Sequence, residues 1–141
     1  MSSAGYSGRS LTQKLGIKPG DVVRAVNPPA HYARLLKPLP AGAVVAADAD
    51  SPALIHAFAK NRQELADMAE WLVSLPAPGG AVWVSWPKKS SPLFADLTEG
   101  GIRQIMLPTG WVDVKVCAVD ADWSGLKFLR RRAARPARVM K

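Results

Sequence analysis

The chain has 141 residues, 48% of them hydrophobic and 21% charged, which suits one folded domain and excludes a wholly disordered chain. Cys117 is the one cysteine, so an intramolecular disulfide and a cysteine-clustered zinc site are both excluded. The net charge of +8 is uneven, because residues 127–141 carry seven basic side chains and no acid, while the rest of the chain holds 12 basic and 11 acidic residues.

Residues 1–10 are small and polar and read as an N-terminal arm without the apolar stretch of a secretory signal. The spacing predicts a short helix over 11–15, a turn at Lys18-Pro19-Gly20, and a β-branched strand over 21–27. Pro28-Pro29 stops that strand, and Pro29 is suited to the first turn of a short helix over 30–36. Apolar strands follow over 43–47 and 53–59. The strongest helical period in the chain then runs over 62–75, with Leu65, Met68, Ala69, Leu72 and Leu75 on one stripe. A fourth strand is predicted over 81–86 and a second amphipathic helix over 97–107, with Thr98 as its N-cap. Residues 112–119 alternate as a fifth strand, with Asp113, Lys115 and Cys117 on one face. Residues 126–129 add a sixth as an antiparallel hairpin through a turn at 120–125. Strands alternating with helices predict an α/β fold in three layers, a mostly parallel sheet of five to six strands with an antiparallel C-terminal hairpin. The domain occupies 11–131, followed by a basic tail over 132–141.

Ligands of open α/β sheets sit outside the carboxyl ends of the strands. Here that edge is expected to comprise 27–30, 59–62 and 86–91. The loop Trp86-Pro87-Lys88-Lys89-Ser90-Ser91 brings ammonium and hydroxyl groups together after a rigid strand, which suits phosphate or carboxylate. Lys88, Lys89, Ser90 and Asn27 are therefore candidates for an anionic small-molecule site. Arg9 in the small-residue arm is a fifth candidate. His56, in an apolar strand, reads as a satisfied core histidine, and Cys117 as a buried structural thiol. No Gly-x-Ser-x-Gly, phosphate-loop or metal-ligand spacing occurs, so no catalytic residue, metal or cofactor is assigned. Arg130, Arg131, Arg132, Arg135 and Arg138 offer a second reading, weak nucleic-acid contact through the tail. No apolar run reaches membrane-spanning length, and a lone thiol suits a reducing compartment, so a cytoplasmic protein is expected, with oligomerisation left open.

The phrases Leu15-Gly16-Ile17-Lys18-Pro19-Gly20-Asp21-Val22-Val23, Pro78-Gly79-Gly80-Ala81-Val82-Trp83-Val84 and Gly110-Trp111-Val112-Asp113-Val114 resemble the strand entries of Rossmann-like methyltransferases. Members that bind S-adenosylmethionine carry a glycine-rich loop after the first strand, where this chain has Asn27-Pro28-Pro29-Ala30. An acid at the end of the second strand usually receives the ribose, and Asp48 or Asp50 stands there. Gly5-Tyr6-Ser7-Gly8, Trp83-Val84-Ser85-Trp86-Pro87-Lys88-Lys89-Ser90-Ser91 and Trp123-Ser124-Gly125-Leu126-Lys127-Phe128 are similar to a small bacterial family known only as domain of unknown function 3052. That resemblance spans about residues 4–131. The expectation is therefore a degenerate methyltransferase-type scaffold serving as a non-catalytic binding or regulatory module. It would not be a methyltransferase. The alternative is an enzyme that still uses S-adenosylmethionine or a related nucleotide.

Overall fold

The computed structural model describes residues 9–131. Helix α1, Leu11–Leu15, opens on a capping box: the Ser10 hydroxyl accepts from the Gln13 amide, and the Gln13 side chain accepts from the Ser10 amide. It closes on Gly16, whose φ of 82° is the left-handed region that glycine enters without a Cβ clash. Strand β1 is Val22–Val26, the short helix α2 is Tyr32–Leu35, and β2 is only Val44–Val45. Strand β3, Leu54–Phe58, and helix α3, Arg62–Ser74, follow, with the Asn61 side chain capping α3 by accepting from the Glu64 amide. Strand β4 is Ala81–Pro87, and helix α4, Glu99–Met106, runs into a 3-10 turn over Leu107–Thr109. Strands β5, Trp111–Ala118, and β6, Trp123–Arg130, complete the sheet.

Helix α4 begins two residues later than its apolar pattern suggests. Leu97 is already core, packed with Ile102 on the far side of the Thr98 cap, as a hydrophobic staple requires.

The six strands lie in the order β2-β1-β3-β4-β6-β5. Strands β1 to β4 are mutually parallel, and β6 is antiparallel to both β4 and β5. Every residue of β3 and β4 is buried, so the two continuous apolar runs occupy the sheet centre. One face packs under α3 and α4, through Ile55, Val82, Val84, Leu65, Leu72 and Ile102. The other packs under α1 and α2, through Leu15, Tyr32, Leu36, Phe58, Trp83 and Trp123. The Trp83 indole donates to the Leu15 carbonyl at 3.1 Å and so fastens the end of α1 to the middle of the sheet. The three-layer α/β architecture with its antiparallel hairpin is as expected.

Two local expectations are corrected. Residues 123–125 are strand, not turn, and the hairpin joins the sheet through β6, which lies between β4 and β5. Glycine suits position 125 because an added Cβ would stand 3.2 Å from the Trp83 ring and 3.3 Å from the Ser85 hydroxyl. The turn itself is tightened by Asp120, whose carboxylate accepts from the amides of Asp122 and Trp123. In β5, a bulge between Asp113 and Lys115 breaks the predicted alternation. Asp113 therefore turns to Arg103 of α4, while Lys115 and Cys117 fall on the opposite face, and Val114 and Val116 stay half exposed on an outermost strand.

Candidate functional site

The chain leaves β1, passes through α2 to β2 on one side, and returns to place β3 on the other. The crevice between the carboxyl ends of β1 and β3 is thus the point where strand order reverses, the usual ligand position of such sheets. Its first wall is Asn27, exposed, with φ 55°, followed by Pro28 and Pro29. The backbone takes the left-handed turn that glycine favours, and asparagine is among the few other residues that tolerate it. The two prolines supply no amide hydrogen, so a ligand here meets side chains more than backbone donors.

Helix α2 is tied across the edge, because His31 Nε2 lies 2.8 Å from a carboxylate oxygen of Asp120 in the β5–β6 turn. That turn is tied in its own right to the end of β4, where the Lys88 amide donates to the Asp122 carbonyl at 2.8 Å. The loop after β4 is a fixed turn: the Ser91 amide donates to the Lys88 carbonyl, and the Ser91 hydroxyl accepts from the Leu93 amide. Lys88 is half-buried and Lys89 and Ser90 are exposed, with no ion pair to either lysine among the described residues. Asn27, Lys88, Lys89 and Ser90 thus share one edge of the sheet.

Arg9 lines a different groove, beside Lys14, Lys115 and Cys117, and its guanidinium donates to the Gln13 carbonyl at 3.1 Å. Past β2, Asp48 and Asp50 are exposed on a loop fixed by Arg24, whose guanidinium donates to the Ala49 carbonyl at 2.9 Å. Arg130 is part of β6 and stacks over the Trp111 ring, and the Arg131 amide donates to the Gly110 carbonyl. Arg132, Arg135 and Arg138 lie outside the described residues.

Sequence reasoning missed two features. A buried polar row crosses the sheet under α2: the Tyr32 hydroxyl lies 2.8 Å from His56 Nδ1, and His56 Nε2 lies 2.7 Å from the Ser85 hydroxyl. All three residues are buried, and burial lowers the His56 pKa to about 3 and raises that of the Tyr32 phenol. His56 is therefore a neutral core histidine, as its apolar strand suggested. The alternation of apolar and small residues in β3 and β4 held no sign of which partners it would find. The second feature is a cavity of about 510 Å³ at the opposite, amino edge of the sheet, lined by Pro76, Pro78, Trp111, Leu129 and Arg130. The Cys117 thiol is raised by burial, with Lys14 and Lys115 opposing that shift, so it is not an activated nucleophile. Among the described residues no helix is long and apolar enough to cross a membrane.

No protein-family model matches the chain, and no curated protein resembles it. Solved structures do share its fold. An S-adenosylmethionine-dependent methyltransferase from Aquifex aeolicus matches with TM-score 0.62 at 13% identity, over 82% of this chain and 85% of that one. The S-adenosylhomocysteine complex of DhpI matches with TM-score 0.60 at 11% identity, over 87% and 83%. A possible exported protein from Bordetella parapertussis matches with TM-score 0.61 at 12% identity, over 86% of this chain and 66% of that protein's length. The scaffold is thus a Rossmann-like fold of the methyltransferase type. These neighbours overturn the expectation of a non-catalytic binding or regulatory module, because the same fold recurs in S-adenosylmethionine-dependent methyltransferases.

Proposed function

We propose that the chain is an enzyme that takes S-adenosylmethionine or a related nucleotide in the crevice outside β1 and β3. The observation that carries this reading is the strand reversal at that crevice, with Asn27 holding a left-handed turn at its mouth. The residues fit a nucleoside through side chains. Asp48 is an exposed carboxylate past the end of β2, suited to accept from ribose hydroxyls. Lys88, Lys89 and Ser90 stand at the end of β4, suited to a carboxylate or phosphate, and the Asn27 amide lies at the same edge. Bound there, S-adenosylmethionine would supply an electrophilic methyl group. The chain's part is to orient the nucleotide on a rigid edge held by the His31–Asp120 pair and the Lys88–Asp122 backbone bond. Membership of the small bacterial family with unknown function is part of the same proposal, supported by the phrases at 83–91 and 123–128. So is a cytoplasmic setting, supported by the single thiol.

Thermal shift with S-adenosylmethionine, S-adenosylhomocysteine and adenine nucleotides tests the reading. A ligand that binds the folded state at 100 times its Kd adds about 2.7 kcal/mol. The expected result is a rise in Tm with one of them, weakened in a Lys88→Ala, Lys89→Ala variant. No shift with any of these ligands would overturn it.

A further inference from the structure

The body of the chain is nearly neutral in sequence, yet the fold gathers part of its positive charge in one place. Glu64, Asp67 and Glu70 of α3, Glu99 of α4, and Asp113, which faces Arg103, all lie on the α3/α4 side. The other face gathers lysines from four separate segments. Lys115 and Lys127 are direct cross-strand partners in β5 and β6, a placement in which like charges repel. The Lys127 ammonium comes to Gly16, where an added Cβ would stand 3.9 Å from its Nζ, and so sits at the end of α1. Lys14 extends its ammonium to the Ala118 carbonyl at 3.4 Å, and Lys18 follows on the loop after Gly16. Lys127 is lowered by burial and then by the charges of Lys115 and Lys18, so the ammonium groups feel one another.

Two adjoining grooves carry this stripe. One of about 340 Å³ is lined by Leu15, Gly16, Lys18, Lys127 and the single acid Asp21, and one of about 270 Å³ by Arg9, Lys14, Lys115, Val116 and Cys117. Among the described residues none of the four lysines forms an ion pair. A surface lined by one sign of charge sets up a potential that draws counter-ions of the other sign.

We propose that Lys14, Lys18, Lys115 and Lys127 form a docking surface for the phosphodiester backbone of a nucleic acid, on the folded body and separate from the basic tail. Four point charges from four segments, strung along two shallow grooves, match a chain of phosphates better than one small anion. Among the described residues no aromatic side chain lines either groove, so the surface reads backbone and not base sequence.

The test is fluorescence anisotropy of the full chain against labelled duplex DNA and single-stranded RNA over a salt series. The two arms separate the sources of phosphodiester. The variants are Lys115→Gln with Lys127→Gln, Lys14→Gln with Lys18→Gln, and Arg132→Gln with Arg135→Gln and Arg138→Gln. Melting curves verify that each folds, and because Lys14 and Lys18 lie outside the sheet, the second variant keeps the test available if the first does not. The expected result is salt-dependent binding to at least one nucleic acid, with the log–log salt slope shallower by about one for each lysine removed. Unchanged affinity and slope in the lysine variants, with binding lost only in the arginine variant, would overturn the proposal. So would absence of binding to either nucleic acid, or binding to anionic phospholipid vesicles alone.

Discussion

His56 sits at the centre of the sheet with no exposure and a hydrogen-bond partner on each ring nitrogen, so in the neutral form it donates at one nitrogen and accepts at the other. Protonation would place a charge between the rings of Phe58 and Tyr32. Its folded pKa, lowered to about 3, lies below the ordinary histidine value, so its contribution is fully present above about pH 6.5 and is lost as pH falls through the window down to about 3. Urea unfolding should show stability dropping by about 1.7 kcal/mol between pH 6.5 and pH 5, the slope approaching about 1.36 kcal/mol per pH unit once the unfolded histidine is protonated. A flat profile over that range would refute the neutral assignment. Ser85→Ala leaves His56 Nε2 without its partner and should cost about 1–3 kcal/mol in the same measurement. That His56 belongs to the core was legible from Leu54, Ile55, Ala57 and Phe58 around it. Its partners were not, because Tyr32 and Ser85 reach it only through the packing of α2 and the register of β4.

At the scale of elements, the local signals were strong where they were self-contained. Ser10, Asn61 and Thr98 each cap the helix they precede. Asn61→Ala should lower stability by about 1 kcal/mol, read as a fall in the denaturant midpoint. Helix α4 carries Gly100 without a positive φ, and an added Cβ there would meet nothing nearer than the Thr98 hydroxyl at 4.0 Å. Gly100→Ala should therefore raise stability by up to about 1 kcal/mol, seen as a higher Tm. Strand β5 is the counterexample. Its valine alternation was legible, but the bulge after Asp113 serves the Arg103 contact, and a bulge leaves no local sequence mark here. The same holds for Trp123-Ser124-Gly125, whose turn-like composition gives way because β6 needs a small residue beside Trp83.

For the whole molecule, burial ranks the strands. Strands β3 and β4 are buried throughout and paired on both sides, whereas β2 is two exposed residues and β5 is an edge. Native-state hydrogen exchange should accordingly find the slowest amides in β3 and β4, and near-complete exchange in β2 long before them. Early exchange of β4 would contradict the strand order. The candidate nucleotide edge was legible in outline, since Asn27 and the loop 86–91 follow apolar strands whose carboxyl ends must lie together in a parallel sheet. The lysine face was not, because its four members are close only after α1 folds onto the β5–β6 hairpin.

The one-dimensional pattern alone determined the alternation of strands and helices, the three layers, the Thr98 cap and the buried character of the central strands, since each follows from hydrophobic period and neighbours a few residues away. Tertiary structure alone decided where β6 enters the sheet, which groups complete His56, and which charges stand together. These depend on register and crossover, and contacts between residues far apart in the chain leave no periodic trace in it.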